Sequence, residues 1–173
     1  VSGIIGTTVG SFDLTTATFP VGHVIQTTYN EHNGGWSMYV ISTTAIIVHT
    51  GGTKHWTGQI TNVGADNHVI VTMAFRYQMG INTSASEIGG GWSIFREDTE
   101  IMIADTEAIK HTNDSDTFNF QEHYQHTLTF IDESPATGTN NYYLGFRSAG
   151  SNSLMTVQSG SGKEPFRCIL QEI

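Results

Sequence analysis

The segment His68–Gln78 alternates apolar and polar side chains, and this pattern constrains the fold more than any other feature of the chain. An alternation with a period of two predicts a β-strand with one buried face, because successive side chains of a strand point to opposite sides. We therefore expect this segment to be a central strand of the core. The side chains predicted to share its buried face are Val69, Val71, Met73, Phe75 and Tyr77.

Other short runs of β-forming residues follow one another along the chain, separated by clusters of Gly, Asn, Asp or Ser. Together they indicate roughly eight to ten strands, which favours an antiparallel β-sandwich of the jelly-roll type. The strongest helix signal, Asp105–Lys110, is long enough for only about one or two turns. The further predicted strands are His23–Tyr29, Ser37–Ile41, Ala45–His49, Trp92–Arg96, Glu100–Ala104, Tyr124–Ile131, Tyr142–Arg147, Leu154–Gln158 and Phe166–Ile173.

Composition narrows the classes of protein. Only 13% of the residues are charged, against a usual share of roughly 25%, and 19 are glycine. The net charge of −9 and the presence of only 7 Lys and Arg residues make nucleic acid a poor partner. No apolar run reaches the roughly 18 residues of a membrane helix, so no membrane partner is expected. The one cysteine, Cys168, lies in an apolar stretch and is expected to be a small buried hydrophobe.

The 173 residues suit one domain, which we place at residues 22–173. Residues 1–21 are rich in Thr and Gly and are predicted to form an extended N-terminal arm that docks onto a neighbouring subunit or a larger assembly. A frayed terminus is the alternative. The start has no basic segment followed by a long apolar run, so a signal peptide is not expected.

Motifs of known catalytic sites do not occur. The sequence has no Gly-x-Ser-x-Gly elbow and no His-Glu-x-x-His pair, and Gly160–Glu164 departs from a phosphate-binding loop. The acidic pairs Glu97-Asp98 and Asp132-Glu133 are explained by turns. Eight histidines are present, but their spacing gives no set of converging ligands. We therefore expect neither enzymatic activity nor a cofactor or metal site.

Tryptophans are the strongest candidates for a binding surface, since aromatic rings suit the apolar faces of sugars. Trp36 and Trp92 follow glycine-rich loops, and a core position is the more common role of such a residue. Trp56 has polar neighbours. The candidate ligand-binding residues are therefore Lys54, His55 and Trp56.

Several stretches, which span residues 22–173 in order, resemble a domain of structural and fibre proteins of marine tailed phages, especially cyanophages. They are Gly22–Gln26, Trp92–Ile101, Phe130–Thr137, Tyr142–Arg147 and Ile169–Ile173. The sequence departs from the family pattern at Glu133, which is an extra residue in its turn, and around Lys54–Trp56. The resemblance carries over no catalytic residue.

The resemblance implies a compact β-sandwich, assembled as a homotrimer and displayed on a virion. We therefore expect a bacteriophage structural protein on the particle surface, either a short fibre or receptor-binding knob or a capsid decoration protein. Its expected partners are further copies of itself, other virion proteins through the N-terminal arm, and a host surface glycan. The alternative function is a carbohydrate-binding, lectin-like adhesin.

Overall fold

Twelve β-strands make up the regular structure of the residues that the computed structural model describes, which are 22–32, 38–39, 44–48, 57–81, 87–103, 109–112, 120–148, 154–158 and 165–173. The strands are β1 Gln26–His32, β2 Met38–Tyr39, β3 Ile46–Ile47, β4 Thr57–Val63, β5 Val69–Ile81, β6 Glu87–Arg96, β7 Thr99–Met102, β8 Ile109–Thr112, β9 Phe120–Asp132, β10 Gly138–Ser148, β11 Leu154–Gln158 and β12 Phe166–Glu172.

The strand predicted to be central, β5, is central in the structure. Its alternating residues from Val69 to Met73 are fully buried, and Phe75 and Tyr77 are 3% and 4% exposed. On one side it pairs along its whole length with β9, and on the other it pairs with β12 and then β11. The prediction of a core strand over this segment is confirmed.

The twelve strands form eight rows, because four rows are each made of two strands that pair with the same neighbouring row. These double rows are β1 with β2, β3 with β4, β7 with β8, and β11 with β12. All of the pairings are antiparallel. Numbered along the chain, the rows run 1-8-3-6 in the first sheet and 2-7-4-5 in the second. This is the row order of a jelly roll, and the prediction of an all-β sandwich is confirmed.

An aromatic cluster fills the space between the sheets. The Trp92 ring lies 4.5 Å from Phe75, 5.1 Å from Tyr77 and 4.9 Å from Phe146, all with edge-on geometry. A side chain at Gly90 would collide with the Phe146 ring and with the backbone of the neighbouring strand, so this position requires glycine. Trp92 therefore has the core role that is usual for tryptophan.

Polar side chains of β1 close one side of the sandwich against β4. Gln26 Nε2 donates to the Thr61 carbonyl at 2.7 Å, and Thr28 Oγ1 donates to the Gln59 carbonyl at 3.0 Å. Further along, a ring nitrogen of His32 lies 3.2 Å from the carbonyl oxygen of Thr57. These contacts use backbone acceptors along the edge strand β4, which would otherwise lack a strand partner on that side.

The outer face of the first sheet is made by the outward side chains of β1, β12, β5 and β9. Its central band consists of two cross-strand rows of side chains, each made of residues that pair with one another on neighbouring strands. Every position in these two cross-strand rows is threonine, isoleucine, glutamine or tyrosine. These rows are Thr27, Gln171, Ile70 and Ile131, and then Tyr29, Ile169, Thr72 and Thr129.

Three sequence predictions need correction or restriction. β4 was not predicted, and it forms part of the second sheet. The strongest helix signal, Asp105–Lys110, ends in a strand, because Ile109 and Lys110 belong to β8 and pair with β6, and residues 105–108 lie outside the described residues. Residues 1–21, the predicted arm, lie outside the described residues. No helix suited to crossing a membrane occurs in the described ranges.

We expect Phe75→Asp to abolish soluble, folded protein. Phe75 is 3% exposed and packs on Trp92, and loss of a buried phenylalanine costs about 3 to 5 kcal/mol even without a buried charge. That cost is a large part of the roughly 5 to 15 kcal/mol that stabilises a domain. The matched control is Gln125→Asp, at an exposed position of the neighbouring strand β9. Recovery of soluble protein with cooperative thermal unfolding from the Phe75 variant would contradict the assignment.

Candidate functional site

The predicted ligand-binding residues Lys54, His55 and Trp56 lie outside the described residues. They immediately precede β4, which begins at Thr57. Their proposed contact with sugar stays a prediction. The polar groups that the structure does bring together lie elsewhere, at the end of the sandwich that holds the turns 64–68, 97–98 and 133–137.

Asp132, the last residue of β9, is the centre of the first polar network. The Arg96 guanidinium at the end of β6 donates through Nη1 to both carboxylate oxygens, at 2.9 and 2.7 Å. Tyr142 of β10 donates its hydroxyl to Oδ2 at 2.8 Å, and the Ser134 amide donates to Oδ1 at 3.3 Å. Asp132 is only 5% exposed, so these four donor contacts replace the water that it loses on burial.

Burial and hydrogen bonding fix the protonation state of Tyr142. The ring is fully buried, and this burial, together with the hydrogen bond to Asp132, raises the pKa of its hydroxyl far above the usual value of 10.0. The hydroxyl is therefore a permanent donor to the carboxylate at physiological pH. It serves as a tie between β9 and β10 and takes no part in proton transfer.

Glu172, near the end of β12, is the centre of a second network. Its Oε1 accepts from the Gly64 amide at 2.8 Å and from Asn67 Nδ2 at 2.5 Å. Its Oε2 accepts from Gln26 Nε2, also at 2.5 Å. Glu172 is 2% exposed, and these contacts tie the β4–β5 turn and β1 to the end of β12.

The pKa of Glu172 reflects the balance between the burial of its carboxyl group and the hydrogen bonds that the group accepts. Desolvation of the buried carboxyl raises its pKa, but the hydrogen bonds from Gly64, Asn67 and Gln26 lower it by more. The net result is a pKa below the usual value of 4.5. The ionised form is thus favoured by folding, as expected when a carboxylate accepts several hydrogen bonds.

Both carboxylates belong to a single row across the inner face of the first sheet. Gln26 is opposite Glu172, Glu172 is opposite Val69, and Val69 is opposite Asp132. Each carboxylate reaches from this row to elements of the second sheet or to the turn that leaves it. The row therefore closes one end of the core with groups that bridge the two sheets.

Stretches that lie far apart in the sequence meet at these two networks. Arg96 of the Trp92–Ile101 stretch binds Asp132 of the Phe130–Thr137 stretch. Gln26 of the Gly22–Gln26 stretch binds Glu172 of the closing stretch. Sequence reasoning treated Asp132 as a turn residue and did not connect these segments, because partners 36 and 146 positions apart leave no local signal.

The acidic pairs considered in the sequence are divided between burial and solvent. Asp132 is buried, whereas its neighbour Glu133 is exposed. Glu97 accepts hydrogen bonds from the backbone and side-chain amides of Asn141, at 2.9 and 2.8 Å. Contacts at the β6–β7 turn thus account for Glu97, whereas Asp132 is the last residue of β9 and is held by an ion pair, not by the turn chemistry that the sequence indicated.

An open cleft of about 460 Å³ lies between the edges β7 and β9, beside the Asp132 network. Its walls are partly apolar, from Ile101, Phe130 and Ile131, and Arg96 lies at its base. The charged groups at the base are already engaged with each other, since Arg96 and Asp132 form an ion pair at 2.7 Å. The cleft therefore combines apolar side chains with an ion pair whose two charges already engage each other.

Two further possibilities raised by the sequence are a reactive cysteine and a metal site. Cys168 is fully buried, as predicted, and burial raises the pKa of its thiol to about 12, so it stays protonated at neutral pH. Its sulfur lies so close to Gly58 that a side chain at that glycine would collide with it. Within the described ranges, no three His, Cys, Asp or Glu side chains are placed to hold a metal ion.

The fold and its networks define the class of protein as an all-β jelly-roll sandwich fastened by buried carboxylates. No family model matches the chain, and no curated protein matches it. Among solved structures, it is similar to dimeric latent PorU from Porphyromonas gingivalis, with 9% identity and a TM-score of 0.36. That likeness covers 85% of this chain but 12% of the PorU chain, and it assigns neither a family nor an activity.

We expect Asp132→Asn to destabilise the protein by about 2 to 3 kcal/mol. Breaking a buried ion pair costs roughly 3 to 5 kcal/mol, and the cost here is lower because Arg96 keeps 23% exposure. Urea unfolding measures the change. Glu133→Gln, an exposed neighbour, is the matched control and should stay within about 0.5 kcal/mol of wild type. Equal effects of the two substitutions would contradict the role of Asp132.

Because the pKa of Glu172 is lowered in the folded protein, we expect the protein to lose stability in acid. Because its folded pKa lies below the 4.5 of an ordinary glutamate, its stabilisation is complete above that value and declines as the pH falls through the folded pKa. Glu172→Gln should cost about 1 to 3 kcal/mol at neutral pH, and less at about pH 3. Urea midpoints at both pH values test this. A cost for Glu172→Gln that does not change with pH would refute the linkage.

Proposed function

We propose that this chain is a non-catalytic structural protein of a bacteriophage virion, displayed on the particle surface. The observation that carries the proposal is that its buried carboxylates join separate strands and turns. Asp132 and Glu172 are saturated with donors from neighbouring strands and turns. They join the stretches in which the chain resembles phage structural proteins, so the shared residues are fasteners of a scaffold.

The topology supports the same proposal. Jelly rolls serve repeatedly as capsid and lectin domains, where a rigid sandwich presents surfaces and loops to partners. A fold alone does not set a function, and the argument here depends on the residues that fasten it. Either a short fibre or receptor-binding knob or a capsid decoration protein fits a domain of this size.

The proposed assembly is a homotrimer that contacts other virion proteins through residues 1–21. Host attachment through a surface glycan is assigned to Lys54, His55 and Trp56. Binding of the wild-type chain to a glycan array, lost in Trp56→Ala, would favour the lectin-like alternative if the chain is absent from virus particles.

The test of the proposal is the presence and copy number of this protein in purified virus particles. Mass spectrometry should identify it there, and gel densitometry against the major capsid protein gives the ratio. A ratio near one would assign a decoration protein, and a ratio far below one would assign a fibre or knob. Absence from particles whose capsid protein is readily detected would overturn the proposal.

A further inference from the structure

Exposed apolar side chains are concentrated on the outer face of the first sheet. Tyr29 is 55% exposed, Ile131 46% and Ile25 44%, and all three lie on or beside this face. Ile70 and Ile169 continue the surface between them, since they occupy the central strands in the same two rows. A contiguous apolar patch of this kind marks an interaction surface.

The second sheet presents a different outer surface. There Glu100 accepts from Ser93 at 2.5 Å and from Arg147 at 3.2 Å, and Gln59 donates to Asn141 at 2.8 Å. Hydrogen-bonded and charged groups thus cover that sheet. This contrast indicates that the outer face of the first sheet is the one that contacts a partner.

The net charge of the outer face of the first sheet supports a second copy of this chain as its partner. Its strands carry Glu31, Arg76 and Arg167 as outward charged residues, a formal sum of +1, whereas the chain carries −9. Glu31 also pairs with Arg167 at 3.6 Å. Two copies of an acidic chain repel one another through most surfaces, but this nearly neutral face keeps that repulsion small where the two copies meet.

The size and composition of the face also suit a contact between copies. Four strands about 4.8 Å apart and about nine residues long give an outline of roughly 19 by 30 Å, or about 600 Å² per copy. Two such faces reach the roughly 1,200 Å² of the smallest stable interfaces. Its isoleucine and threonine side chains are stiff at χ1, so little side-chain entropy is lost when they pack.

We propose that a second copy of this chain docks on the outer face of the first sheet, with Tyr29, Ile70, Ile131 and Ile169 spread across the contact. Two like faces that meet form a two-fold contact, so this surface joins chains in pairs and is separate from the contacts of the proposed homotrimer. The contact buries the apolar band and, through Ile131, part of the wall of the cleft between β7 and β9, and it leaves the outer face of the second sheet open to other partners.

The experiment compares the full chain with two matched variants by native mass spectrometry and sedimentation at micromolar concentration. Ile131→Lys places a charge on the face, near the end of the outer strand β9. Ile103→Lys makes the same change at an isoleucine that is 70% exposed and follows β7 in the second sheet. Lysine reduces the net negative charge in both variants, so general repulsion cannot explain a loss of association.

We expect the wild type and Ile103→Lys to associate at multiples of 18.9 kDa, and Ile131→Lys to associate about tenfold more weakly or worse. Unchanged thermal unfolding of a dilute, dissociated sample would show that Ile131→Lys still folds. A monomeric wild type would overturn the proposal and leave residues 1–21 or another protein as the occupant. Equal weakening in both variants, or in neither, would also overturn it. Presence in virus particles is measured separately, so either proposal can fail alone.

Discussion

The two-sheet arrangement depends most on the contacts that the Asp132 carboxylate makes. It belongs to β9 in the first sheet, but its partners Arg96 and Tyr142 belong to β6 and β10 in the second. Apolar packing between sheets is tolerant of sliding, because it has no direction. The ion pair, in which one guanidinium nitrogen contacts both carboxylate oxygens, and the buried tyrosine together fix distance and orientation, and so set one relative position of the sheets at this end.

Glu172 repeats this principle two positions from Asp132 in the same row, with uncharged donors in place of an arginine. Its three donors come from a backbone amide and two side-chain amides, and they keep a buried charge in its ionised form. Between the two carboxylates lies Val69, which is fully buried. The core thus ends in a polar row whose charges are satisfied from the turns, while the aromatic cluster around Trp92 fills its interior.

Sequence patterns predicted the long alternating strands and missed β4 and β8. β5 was evident from its alternation, and Cys168 and Trp92 were assigned correctly to the core. β4 was missed because a glycine, Gly58, takes one of its buried positions to make room for Cys168. The ties from Arg96 to Asp132 and from Gln26 to Glu172 required the topology, since no local spacing encodes contacts between distant strands.

The pairing of β1 with β12 has a mechanical consequence. Gln26 lies opposite Glu172, so the polypeptide enters and leaves the sandwich side by side at the same end. A force pulling residues 22 and 173 apart would open the β1–β12 ladder one hydrogen bond at a time, which is a weak mode of resistance. If the start of β1 and the end of β12 are attached together, no force separates the two strands. The opposite end of the sandwich then points away from the attachment.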